Sequence, residues 1–60
     1  MENIMVRQKK YGTLEIDTRE KDMIIIFMHE EIHGSVYTEV IHIERENIDL
    51  IVKILNNEKR

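Results

Sequence analysis

The chain has no cysteine, proline, alanine or tryptophan, and only two glycines and three aromatic residues among its 60 positions. Without cysteine there can be no disulfide, no thiol nucleophile and no thiolate metal ligand. That matters in so short a chain. A domain of this size hides only about 60% of the surface its unfolded form exposes, and small folds usually add a disulfide, a metal or a second subunit. The lack of cysteine also fits a reducing compartment, so the expected location is cytoplasmic. Gly12 and Gly34 stand alone and cannot form the glycine-rich cradle that holds a nucleotide phosphate. The longest apolar run, Met23 to Met28, is far short of the roughly 20 residues that cross a bilayer. Nor does the N-terminus carry the hydrophobic core of an export signal. A soluble protein with no membrane association is expected.

What is present is charge and isoleucine. Nine basic and twelve acidic residues leave a net charge of -3, which weakly opposes non-specific attraction to phosphate backbones. With 42% hydrophobic residues and no low-complexity stretch, the chain is too apolar for disorder and should fold as a single small domain over 1–60. Isoleucine occurs eleven times. Together with the missing alanine and proline, this is the bias of an AT-rich coding sequence, as in a low-GC bacterium or its phage.

The hydrophobic pattern predicts an α+β fold: a three-stranded antiparallel meander followed by one C-terminal helix packed on the sheet. Residues 1–10 form either a flexible basic arm or a fourth strand. From Tyr11 onward, Leu14 and Ile16 alternate with Thr13, Glu15 and Asp17, the mark of a half-buried strand. After the polar interruption Arg19–Asp22 comes a β-branched and aromatic run from Met23 to Met28, apolar on both faces and therefore central. A turn is expected over Glu30–Gly34, with Gly34 free to take positive φ. A third strand follows from Ser35 to Ile43. Ile48, Ile51, Val52 and Leu55 then repeat at helical spacing, predicting an amphipathic helix of about 13 residues. Acidic Glu46 and Asp49 lie in its first turn, and Lys59 and Arg60 follow its end.

Three groups of residues carry candidate chemistry. His29-Glu30-Glu31-Ile32-His33 matches H-E-x-x-H, which on a helix places two imidazoles on zinc with glutamate as general base. Here a strand-forming run precedes it and Gly34 ends it, and the extended form of the motif fails at Val36 and Glu39. His29 and His33 are thus candidate metal ligands in an unfavourable setting, and a minimal zinc hydrolase is the enzymatic alternative. Ser35, the lone serine, sits beside the turn glycine and reads as a turn residue, so no catalytic residue and no cofactor is assigned. Arg7, Lys9 and Lys10 with Tyr11 form a short basic and aromatic cluster of the kind single-strand binders use. A nucleic-acid-binding dimer is the second alternative, though the acidic remainder disfavours nucleic acid as a partner.

The strongest signal is an excess of apolar surface. One sheet carrying one helix covers a single sheet face, yet the second and third expected strands are apolar on both. Leu50 and Ile54 widen the helix stripe to roughly 200°, well beyond the 100° or so that one layer needs. Ile25, Phe27, Val36, Val40, Leu50 and Ile54 are therefore expected to form a protein interface. The expected function is a non-enzymatic interaction module, an inhibitor or adaptor, that forms a homodimer or larger homo-oligomer and also binds a second protein.

Overall fold

The computed structural model describes residues 3–59. Four strands, β1 (Ile4–Arg7), β2 (Thr13–Asp17), β3 (Met23–Ile32) and β4 (Ser35–Glu44), precede a single turn of 3-10 helix, Arg45–Asn47, and the helix α1 (Ile48–Glu58). The strands make one antiparallel sheet in the order β1-β2-β3-β4. This is the expected α+β meander, with the N-terminal segment supplying its fourth strand. Met1, Glu2 and Arg60 lie outside the described residues.

Cross-strand pairing assigns every side chain to a face. Ile4, Ile16, Ile26 and Ile41 lie in one row across all four strands, Val6, Leu14 and Met28 run beside it, and Ile24 opposes Ile43. We refer to this as the isoleucine face. The opposite, mixed face carries Met5, Glu15, Asp17, Ile25, Phe27, His29, Thr38, Val40 and His42. Its polar residues are spread over β2, β3 and β4, and on β2 they alternate with the apolar Leu14 and Ile16 of the other face.

The β3–β4 hairpin is longer and its turn tighter than the pattern implied. Glu30 and Glu31 pair with Tyr37 and Val36, leaving only His33 and Gly34 in the loop, at φ 52° and 82°. Two consecutive residues at positive φ make the type I′ turn whose twist matches the strands it joins. The charged Glu30-Glu31 pair stays extended because β2 pairs with β3 only as far as His29. Beyond that point the hairpin overhangs the sheet, and both of its faces meet water.

The helix starts at Ile48 rather than Glu46, and the reason is Arg45. Its main-chain N–H donates to the Asp22 carbonyl at 3.0 Å, and its guanidinium donates to the carbonyls of Thr18 and Glu20 at 2.8–3.1 Å. This clamp ties the end of β4 to the β2–β3 turn and holds residues 45–47 in the tighter helical turn. The three-residue connection leaves α1 close chiefly to the adjoining 3-10 turn, with sparse contact to the strands. Ile48 and Ile51 are half-buried, while Leu50, Val52, Ile54 and Leu55 face solvent.

The result is a plate of 37 × 31 × 16 Å with a radius of gyration of 13.1 Å, where a compact chain of this length would have about 10 Å.

Candidate interaction surface

Polar side chains on the mixed face join three strands. The Asn3 amide donates to Glu15 Oε2. His29 Nε2 donates to Glu15 Oε1 at 3.0 Å, and His29 Nδ1 lies 2.9 Å from Thr38 Oγ1. In the neutral ring, Nδ1 accepts from the Thr38 hydroxyl, an assignment that follows from the carboxylate on the other side. Phe27 stacks on the same ring with centroids 6.2 Å apart. The His29 hydrogen bond, then that of Asn3, holds the Glu15 carboxyl below its ordinary pKa.

Hydroxyl, imidazole and carboxylate in series have the connectivity of an activated nucleophile. An acyl-transfer site also needs preorganised donors for the oxyanion and shelter from water. Thr38 lies on a strand exposed along nearly its whole length and outside the 480 Å³ hollow that borders His29. The arrangement acts best as a register lock across β2, β3 and β4.

The candidate zinc pair is separated by the same geometry. His29 is on β3 with both ring nitrogens engaged, and His33 is in the hairpin turn. Among the described residues, no group of three or more His, Cys, Asp or Glu is placed to hold a metal. Ser35 opens β4 opposite Ile32.

The basic cluster falls at the β1–β2 turn, closed by the Gln8 N–H donating to the Gly12 carbonyl at 2.8 Å. Arg7, Lys9 and Lys10 line the 480 Å³ hollow together with Glu30 and Glu31. Tyr11 is exposed and outside it. The overhanging hairpin thus sets two carboxylates against three cations, which lowers the local positive potential.

The expected interface residues divide into two groups. Phe27 pairs with Val40 on the mixed face, where Ile25 and Val36 also point. Leu50 and Ile54 are on α1, 59% and 51% exposed. Sequence reasoning did not find the row of isoleucines or the Arg45 clamp. The row depends on register across four strands, and the clamp on which loop carbonyls come near residue 45.

Compared with protein families, curated proteins and solved structures, the chain finds no match. Among the described residues, no helix is long and apolar enough to cross a membrane.

Proposed function

We propose that this protein is a non-enzymatic interaction module that self-associates and acts by occupying a site on another protein, as an inhibitor or an adaptor. One observation carries the reading. Among the described residues no hydrophobic side chain is buried, and thirteen large apolar residues are exposed. Soluble monomers rarely keep large contiguous apolar patches in water, and an uncovered layer cannot supply the burial that offsets ordering entropy. The AT-rich bias is compatible with a phage or mobile-element origin, where short inhibitors and adaptors of this kind are at home.

The test is molar mass by light scattering from micromolar to sub-millimolar protein, with thermal midpoints over the same range. Self-association predicts a mass at least twice 7.3 kDa and a midpoint that rises with concentration. A constant mass of one chain with an invariant midpoint would overturn it. Ile54→Glu, on the exposed helix flank, separates a seam that includes α1, which lowers the mass with the strand signal in circular dichroism intact, from one confined to the sheet, which leaves the mass unchanged.

The basic hollow supports a second reading, a single-strand nucleic-acid binder acting through Arg7, Lys9, Lys10 and Tyr11. Three phosphate contacts would give a shallow salt dependence, about -0.7 per contact, and Glu30 and Glu31 weaken them further. A submicromolar oligonucleotide complex at near-physiological salt would promote this reading over the first. The zinc-hydrolase reading has less support, since both nitrogens of His29 are already engaged.

A further inference from the structure

The sheet has two edges of unequal kind. β1 offers four residues, whereas β4 offers ten, with a strand neighbour on one side only. β4 contains no proline and no lysine, two of the usual guards of an edge, and its carboxylates are Glu39 and Glu44. Which of its main-chain groups are free follows from the turn. Across a two-residue type I′ loop the flanking residues exchange both hydrogen bonds, so Ile32 and Ser35 form such a pair. Ser35, Tyr37, Glu39, Ile41 and Ile43 then direct N–H and C=O towards β3. Val36, Thr38, Val40, His42 and Glu44 direct theirs outward, where no strand lies among the described residues.

We infer that the occupant of this edge is β4 of a second copy, paired antiparallel about a two-fold axis through Val40. The inference rests on the self-association proposed above and specifies where it occurs. A two-fold perpendicular to the sheet keeps each face on its own side, so each residue opposes one of the same parity, and only a few registers remain. Centring on Glu39 sets Glu39 directly against its own copy, a like-charge pair that destabilises a sheet. Centring on Thr38 or Ile41 shortens the paired segment. Centring on Val40 pairs residues 36 to 44 throughout. It sets Thr38 against His42, Tyr37 against Ile43 and Glu39 against Ile41, with no like charges directly opposed. Every outward donor and acceptor from Val36 to Glu44 is satisfied, giving about ten main-chain hydrogen bonds, two for each bonded pair.

The exposed area agrees with a surface that takes a partner. The chain exposes 5508 Å², about 1,300 Å² more than the roughly 4,200 Å² of a compact monomer of its mass. Pairing two β4 edges covers the part of that excess that lies along the strand. Continuing the sheet also unites the isoleucine faces of both copies on one side of an eight-stranded layer.

The absence of cysteine makes disulfide trapping clean. In the bonded pair at the axis the Cα atoms of Val40 and its copy are about 5.5 Å apart, within disulfide reach. Val36 and its copy, eight positions out of register, are about 27 Å apart. Under mild oxidation, Val40→Cys is expected to form a covalent dimer at least tenfold faster than Val36→Cys. Equal rates, or faster trapping of Glu39→Cys, would overturn the register. Amide exchange of the unmodified protein gives a test that needs no variant. The Val36, Thr38, Val40 and His42 amides should gain protection as concentration rises through the association range, and unprotected amides in a sample shown by light scattering to be dimeric would overturn the edge assignment. A monomeric mass at all concentrations would overturn self-association as well, so the two failures are distinguishable.

Discussion

The inner half of the molecule and its outer half are held by different forces. Around β2, the part of β3 that pairs with it and the β2–β3 turn, polar groups are specifically paired. Arg19 grips Asp17 through both carboxylate oxygens at 3.0 and 2.7 Å, His29 bridges Glu15 and Thr38, and Arg45 clamps two loop carbonyls. The end of the hairpin, the outer edge of β4 and the flank of α1 have few such partners and hold most of the exposed apolar residues. Directional bonds set register within one chain, whereas apolar area and unpaired main-chain groups gain only when another surface arrives. The inner half therefore reads as the part that specifies the fold, and the outer half as the part available to a partner.

Glycine substitution should separate the two halves most sharply. Gly12 and Gly34 both have positive φ, but a Cβ on Gly12 would collide with the His29 carbonyl, whereas one on Gly34 meets nothing within 4 Å. Gly34→Ala therefore incurs only the left-handed strain, about 1–2 kcal/mol. Gly12→Ala adds displacement of backbone and is expected to lose at least twice that in denaturant titrations. Similar losses at both sites would remove the distinction between a packed inner turn and an open outer one.

A smaller effect is expected from Arg45→Ala. Losing the clamp should lower the thermal midpoint by roughly 5 °C at fixed protein concentration, in a domain where each kcal/mol moves the midpoint by about that much. Amide exchange should rise at residues 18–22 and in the first turn of α1 while the β3–β4 hairpin is unchanged. Exchange spreading evenly over the sheet would mean the clamp is not local.

The mildest test is pH. The Arg19 side chain, then the Arg19 main-chain N–H, holds the Asp17 carboxyl at about 2 against an ordinary 3.8. A carboxyl lowered in the folded state contributes stability that is fully present above its ordinary pKa and is lost as pH falls through the folded value. Wild type should thus melt higher than Asp17→Asn at pH 5, with the gap narrowing below about pH 4 and closing near pH 2. A gap that is independent of pH would show that Asp17 acts through packing alone.

Much of the fold was legible because it depends on local periodicity. Alternation in β2, the β-branched run in β3 and the helical spacing of Ile48, Ile51, Val52 and Leu55 each follow from the geometry of a single element. The turn over Glu30 and Glu31 was misplaced because composition marks polar residues as loop, whereas pairing beyond the end of β2 lets them remain strand. Of the candidate surface, the surplus of apolar residues was visible but not its arrangement.

What the sequence determined by itself is the inventory: no disulfide, no phosphate cradle, three segments of strand character with an arm or fourth strand before them, one amphipathic helix and more apolar surface than a single layer can hide. Tertiary structure alone decided how that inventory is used. Register brought Ile4, Ile16, Ile26 and Ile41 into one row, brought His29 between Glu15 and Thr38, and left β4 as an edge. These are relations between residues distant along the chain, which no local pattern encodes. The Arg45 clamp is of the same kind, since an arginine after a strand looks solvated until the β2–β3 turn supplies the carbonyls it holds.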